Sequence, residues 1–518
     1  MLASSQEISE ITDESPLVVA SLHRLLLAIL HRNLGPPDTE TWGRLWRQGC
    51  LPAAVLDTYW TKWESNFDLL HDTHPFYQSA AITESDEPRT MSILEFHRAS
   101  GNNATLVDHT TDGQSRPITA PEAARALVAY QTFALCGNVG YLTSCEESRD
   151  KSAKDAPSAR GAVCLLRGTS LFQTLMLNLA EYDPAAHSKD LPCWERAASQ
   201  GSGQRAPDGR VDLFTWQSRR CRLFCSKCSD GSIQVDRVKI VPGFYVPPNW
   251  DPLRDESLQS FFLNPKAKPE QPPWSQYRIT PEKAVWRDSD AILHGVAEEK
   301  RVRRPTLASR WIAQTVADKE LAQDFTCSLE VLGIATRGDQ KILLWRRERL
   351  PVSAGLLRDQ RCKELLRSAL KHADDTCFAL TTAAERLAAE ILSPALDESA
   401  SNKPDPTRVK ELARGFGAES QYWSSLTTAF AEFLECLGKS QRLIDEDARD
   451  IANNAGFEAW KRYIRTSALD AFTRAASGVT QNVRGLRAHA IAETELRRRL
   501  AAVARKLLGG DDAAGKMR

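Results

Sequence analysis

Apolar positions follow a helical period at the start of the chain. Leu17, Val18, Leu22, Leu25, Leu26, Ile29 and Leu30 recur at the spacing that places them along one helix, and Gly35-Pro36-Pro37 ends it. Asp38 or Thr39 is positioned to cap a second helix rich in Trp42, Leu45 and Trp46, and Tyr59, Trp60 and Trp63 mark a third. From about residue 74 to 350 the pattern changes. Short apolar runs such as Ala162–Leu166 and Ile233–Val238 alternate with Gly, Pro, Asn and Asp clusters, which predicts strands in an irregular α+β body. Helices are expected within it at Pro121–Phe133 and Ser170–Leu179. Glu146–Ala159, Ser199–Gly209 and Asn264–Ser275 read as exposed loops.

Beyond Leu356 the helical period dominates. Helices are expected over Leu356–Leu392, Arg408–Gly417, Gln421–Leu437, Ile444–Ala476 and Val483–Leu508, with the polar, Pro-containing stretch Ser393–Pro406 as a break. Long helices with short connections suggest an antiparallel bundle. The fold class is therefore α+β: a mixed α/β domain over residues 1–355, an all-α helical bundle over 356–510 and a flexible tail over 511–518.

Composition narrows the function classes. The 67 Lys and Arg balance the 67 Asp and Glu, so any contact with phosphates must come from local patches or from partners. No apolar run reaches the roughly 18 residues of a transmembrane helix. The polar, acidic opening MLASSQEISEITDESP is no signal peptide. A cytoplasmic location is expected, with most of the 12 cysteines reduced.

Catalytic motifs are sparse. Cys221-x3-Cys225-x2-Cys228 has the spacing of an iron–sulfur loop in radical enzymes, in which three thiolates hold a cubane. Lys227 stands where those enzymes usually carry an aromatic, and no alternating βα pattern follows. Cys225 and Cys228 alone form one knuckle of a structural zinc site; Cys193, Cys221 and His187 are candidate further ligands, and plain thiols are the third reading. Gly510-x4-Gly515-Lys516 mimics a phosphate loop but continues with Met517 and lacks a preceding strand. His71 and His74 have no nucleophile–base–orienter set around them. An enzyme is not expected.

Binding features are richer. Trp216 with Arg219 and Arg220, and Trp345 with Arg346, Arg347 and Arg349, combine stacking surfaces with guanidinium forks; they suit either nucleic acid or internal ion pairing. The final helix is basic, with Arg484, Arg487, Arg497, Arg498, Arg499, Arg505 and Lys506, and suits either solvent or a phosphate backbone. Gly137-Asn138-Val139-Gly140 and Arg337-Gly338-Asp339-Gln340-Lys341 are small polar loops between apolar runs.

Read in order, several stretches resemble the CasA family, the large subunit of the type I-E CRISPR Cascade complex. They are Ser15-Pro-Leu-Val, Leu22-His-Arg-Leu-Leu-Leu-Ala-Ile-Leu, His74-Pro-Phe-Tyr-Gln and Ser100-Gly-Asn-Asn-Ala-Thr-Leu-Val-Asp-His. Ala159-Arg-Gly-Ala, Leu171-Phe-Gln-Thr-Leu-Met-Leu-Asn-Leu, Thr215-Trp-Gln-Ser-Arg-Arg and Ile279-Thr-Pro-Glu-Lys-Ala-Val-Trp-Arg-Asp follow. The resemblance covers nearly the whole chain and implies a mixed α/β domain followed by a four-helix bundle. The implied task is non-catalytic: to recognise the protospacer-adjacent motif (PAM) in duplex DNA and to part the strands so that guide RNA can pair. Implied partners are the double-stranded target, the displaced single strand, the guide-RNA complex, other Cascade subunits and a helicase-nuclease; no cofactor is implied beyond the zinc of some members.

The resemblance also implies site residues. Gly137, Asn138 and Gly140 correspond to a glycine loop that meets the PAM minor groove. Asp339, Gln340 and Lys341 correspond to a wedge, with Gln340 splitting the first base pair. Lys268, with Lys266 as the alternative, corresponds to a lysine that probes the minor groove. Asn103, Leu106 and Asp108 lie in a loop that touches the duplex and the helicase-nuclease. Members that bind zinc use two CxxC pairs, of which this chain has one, and the sequence starts after the point at which members usually carry a Trp-Ile-Pro strand, so that strand is either absent or precedes the start used here.

Overall fold

The computed structural model describes residues 2–96, 117–142, 151–196, 201–227, 232–298, 301–338, 341–393, 404–479 and 482–508. The chain divides into two compact units, Met1–Arg358 and Asp359–Arg518. No helix of the described residues is long and apolar enough to cross a membrane.

The first unit is organised around its opening helix, Pro16–Asn33. Its apolar positions run almost all the way round, and a helix of that kind must be buried. Leu17, Val19, Leu27 and Leu30 are fully enclosed, packed among the helices Ala120–Phe133, Leu171–Asn178 and Arg210–Phe214 and the strand Thr326–Arg337. The polar residues of that helix need partners, because burial strips their water. Arg24 is paired with Glu256 at 2.8 Å and lies over the Phe214 ring at 4.3 Å. His23 joins the Val19 carbonyl at 2.7 Å.

Two sheets position the site. In the first, the hairpin Arg219–Lys227 and Ile233–Pro242 is antiparallel, and the short strands Arg89–Thr90 and Ile118–Thr119 pair with Ile233–Pro242. In the second, the long hairpin Thr326–Arg337 and Lys341–Ser353 is extended by Val163–Arg167, which pairs with the Thr326–Arg337 strand. That strand is central, and its Leu329, Val331, Leu332 and Ile334 are buried. A register shift between Ala335 and Thr336 leaves Leu343 without an opposite residue; such a bulge sharpens local twist and re-aims the hairpin tip. A smaller antiparallel sheet holds Trp274–Gln276, Phe261–Leu263, Arg301–Arg304 and Val296–Glu298 in that spatial order.

The second unit is helical: Gln360–Leu392, Pro406–Gly415, Ala418–Ser440, Glu446–Ala476 and Val483–Leu508. The first of these packs on all four others. Asp359, Asp405 and Asp445 cap helices by accepting backbone N–H bonds. Buried aromatic tips reach across the interior: Tyr422 O–H donates to the Ala373 carbonyl at 2.9 Å, and Trp460 Nε1 donates to the Ala369 carbonyl at 3.1 Å.

One sequence expectation fails in an informative way. Glu146–Ala159 reads as an exposed loop, yet part of it is built into the core: Ala153, Ala156 and Ala159 are buried and Ser152–Ala153 forms a strand, while Lys151, Ser152 and Lys154 are exposed. Three small alanines let the backbone run close to its neighbours, and a composition argument cannot distinguish that from a solvated loop.

Candidate nucleic-acid interface

Gly137 and Asn138 form a short antiparallel ladder with Ser152 and Ala153, and Val139 N–H donates to the Lys151 carbonyl at 3.0 Å. Gly140 is held where no larger residue fits: a Cβ there would stand 2.9 Å from the Ile240 carbonyl oxygen. The loop flanks a cleft of about 160 Å³ lined by Arg89, Asn138, Tyr141, Lys151 and Lys239, with Glu87 as the opposing charge. Lys151 lies over the Tyr141 ring at 4.8 Å, and Lys239 donates to the Asp86 carbonyl. The backbone beneath is fixed by Arg219, fully buried, which donates to the carbonyls of Leu135 (2.6 Å), Lys154 (2.8 Å) and Ser218 (2.8 Å).

The long hairpin Thr326–Ser353 turns beyond the pair Arg337–Lys341, with Gly338 at φ +65°, a conformation that costs an L side chain about 1 kcal/mol or more. Lys341 is exposed at the start of the returning strand. Asp339 and Gln340 lie outside the described residues, as do Asn103, Leu106, Asp108 and Cys228. The base of the hairpin rests on an ion cluster centred on the buried Glu330 and Arg167. Glu330 accepts from Arg167 at 2.6 Å and from Arg347 and Arg349 at 2.7 Å each, and Glu10 bonds Arg167 at 2.7 Å and also engages Arg349. Burial pushes the Glu330 carboxyl up, but the surrounding guanidinium groups outweigh it and leave it below the usual carboxylate range.

Lys266 and Lys268 are exposed in the loop that leaves Leu263 and returns at Trp274. The Gln271 N–H donates to the Lys268 carbonyl at 2.9 Å and the Asn264 N–H to the Pro273 carbonyl at 2.6 Å, so the loop is internally braced. Neither ammonium has an ion-pair partner among the described residues, which leaves both available to an external anion.

The segment 152–162 joins the three elements. It pairs with the glycine loop through Ala153. Pro157 accepts from Gln276 Nε2 at 2.5 Å, at the foot of the lysine hairpin, and Ala162 N–H donates to the Tyr277 carbonyl at 2.9 Å. Arg160 donates to the Gly338 carbonyl at 3.0 Å, in the turn of the long hairpin, and to Asp155 at 2.6 Å. Asp155 in turn accepts from the Cys136 N–H at 2.7 Å, one residue before the glycine loop. Arg160 was not singled out as functional by sequence; its only signal there was membership of the Ala159-Arg-Gly-Ala stretch.

The arginines of two candidate nucleic-acid clusters are bonded within the protein. Trp216 is buried and donates to the Phe244 carbonyl at 3.1 Å, with Arg205 stacked 4.0 Å from its ring centre. Arg347 and Arg349 are spent on Glu330 and Glu10, and Arg346 donates to the carbonyls of Pro281 and Lys283. The basic last helix neutralises itself in part, since Arg497 pairs with Glu493 while Arg498 and Arg499 pair with Glu495. Glu10 and Arg349 lie at opposite ends of the first unit's sequence, and pairing of that kind is invisible to local pattern.

The cysteine motif is laid along a strand. Cys221 and Cys225 both lie in Arg219–Lys227, about 13 Å apart for four residues of extended chain. Cys221 is fully buried, which pushes its thiol up to about 12, whereas Cys225 is exposed. Burial that keeps a thiol protonated opposes cluster ligation, which needs thiolates. His187 packs on Tyr182, and Cys193 is bonded to Gln217 and Tyr77. No group of three or more His, Cys, Asp and Glu suited to a metal occurs among the described residues.

The fold is that of a two-unit α+β protein in which two loops and a β-hairpin are bonded to one segment, residues 152–162. The family model for CRISPR-associated protein Cse1 matches residues 1–471, and the chain belongs to that family. A relative from Thermus thermophilus, described as CRISPR-associated protein CasA/Cse1, is 32% identical over 515 residues, covering 96% of this chain and 92% of the relative. The crystal structure of Cse1 from Acidimicrobium ferrooxidans is 22% identical with a TM-score of 0.80, covering 98% of this chain and 93% of that one. A chain of a CRISPR RNA-guided surveillance complex is 19% identical with a TM-score of 0.73, covering 96% and 93%.

Proposed function

We propose that this chain is the large subunit of a type I-E RNA-guided surveillance complex, where it recognises the PAM in duplex DNA and starts strand separation. The observation that carries this reading is the joining, through residues 152–162, of the glycine loop, the wedge hairpin and the lysine loop. Family membership supplies the context, and the likeness to a chain of a CRISPR RNA-guided surveillance complex supports assembly with guide RNA and other subunits. The work asked of it is modest and needs no covalent chemistry. Unstacking one step costs a few kcal/mol, and the heteroduplex that follows is about as stable as the duplex it replaces. A few protein contacts therefore decide whether opening starts. Gly137, Asn138 and Gly140 bring backbone to the minor groove, Lys268 or Lys266 supplies a cation there, and Gln340, flanked by Asp339 and Lys341, enters the stack. Asn103, Leu106 and Asp108 belong to a surface for the duplex and a helicase-nuclease, and the displaced strand is held nearby. The protein acts in the cytoplasm without a cofactor of its own.

The test is binding of a PAM library by the reconstituted complex with and without this chain, alongside Gln340→Ala. PAM-dependent binding only when the chain is present, and opening lost in Gln340→Ala with assembly intact, is the expected result. Unchanged binding without the chain would reduce it to a scaffold.

A further inference from the structure

The glycine loop and the wedge hairpin are separated by about 200 residues in sequence, yet one guanidinium spans the gap between them. Arg160 is nearly enclosed, its side chain 10% exposed. One arm donates to the Gly338 carbonyl at 3.0 Å and to Thr336 Oγ1 at 3.4 Å, both in the hairpin tip. The other arm and Nε donate to Asp155 at 3.4 and 2.6 Å, and Asp155 Oδ1 takes the Cys136 N–H at 2.7 Å. The second arm also reaches Cys136 Sγ at 3.8 Å. Cys136 precedes Gly137 directly, and Asp339 follows Gly338 directly.

We propose that Arg160, with Asp155, is a positioning residue that fixes the register between the glycine loop and the wedge, so that a PAM seated on one places the first base pair at the other. The inference rests on the proposed PAM reading. A guanidinium suits the task because its planar fork presents donors in two fixed directions, whereas an ammonium is a single point of charge. The Asp155 carboxylate also orients the fork by a charge-assisted bond at one end. Opening a base pair at a set distance from a recognised motif demands such a fixed frame, since a displacement of about 1 Å can cost 100-fold in a positioned process.

The experiment uses the full chain reconstituted in its complex. Hydrogen exchange is followed in peptides covering Leu135–Gly140 and Ala335–Ile342, and strand opening by 2-aminopurine fluorescence at the first base pair. Arg160→Ala is expected to speed exchange in both segments and to lower opening about tenfold on PAM-bearing duplex. Binding to target already unpaired at that position stays unchanged. Arg160→Lys keeps its pairing with Asp155, so exchange near Cys136 stays slow while the hairpin tip loosens and opening falls partway. Faster exchange in only one segment of Arg160→Ala overturns the inference, as does unchanged opening when Gln340→Ala still lowers it. If Gln340→Ala leaves opening intact, the wedge reading itself falls, and the two-segment exchange result alone decides whether Arg160 couples them. Circular dichroism of the Lys variant guards against simple misfolding.

Discussion

Replacing Glu330 by Gln tests whether the ion cluster under the long hairpin holds the hairpin in place. Glu330 is fully buried and accepts from Arg167, Arg347 and Arg349 at 2.6 to 2.7 Å. The Gln side chain has nearly the same shape, keeps one acceptor and loses the charge. Arg167 is left worst off, because its side chain is only 3% exposed. Breaking a buried pair by removing one partner costs about 3–5 kcal/mol. Arg347 and Arg349 are partly solvated and so forfeit little, and Glu10 still neutralises Arg167 at 2.7 Å. The loss should therefore lie at the lower end, about 3 kcal/mol. Hydrogen exchange across Thr326–Ser353 reads it directly: at about 1.4 kcal/mol per decade, exchange of the slowest amides should rise roughly 100-fold. Arg349→Met, which removes a half-exposed partner, should raise it less than tenfold. The folded carboxyl of Glu330 is held below its unfolded value, so its contribution is present above the ordinary carboxylate range and is lost as pH falls through the lowered value. Equal effects of Glu330→Gln and Arg349→Met would refute the assignment of the stabilisation to the buried carboxylate.

His23 is buried and its pKa is lowered from 6.5 to about 4 by loss of solvent. The unfolded chain takes up a proton below about 6.5 while the folded chain does not, so stability falls between pH 6.5 and 4, by roughly 3 kcal/mol over that window. Urea unfolding of the wild type and of His23→Leu should show a shallower pH slope in the variant. Gly140→Ala should force the loop off the Ile240 carbonyl and weaken PAM-dependent binding while leaving binding to pre-opened target unchanged; equal loss on both substrates would point to general misfolding. The double variant Lys266→Ala with Lys268→Ala should reduce the slope of log affinity against log salt by about 1 to 2, and an unaltered slope would remove these lysines from the interface.

Much of this protein was legible from the chain alone. The helical spacing of apolar residues from Leu17 to Leu30 identified a helix, and the long periodic segments after residue 356 identified a helical region, with Val483–Leu508 placed at its observed ends. Such features are local: period and capping chemistry decide them. The ordered family stretches carried the relationship that the comparisons establish. What the tertiary structure decided was the fate of charges and small residues. Arg219, Arg347 and Arg349 have the composition of a nucleic-acid surface, but they are bonded to partners elsewhere in the fold, Leu135, Glu330 and Glu10 among them. Ala153, Ala156 and Ala159 look like a loop and are core. Arg160 is inconspicuous in sequence and bridges two loops in space. Hydrophobic periodicity is written along the chain because each residue's burial follows from its own element. Which guanidinium meets which carboxylate depends on how distant elements pack, and no local pattern carries that information.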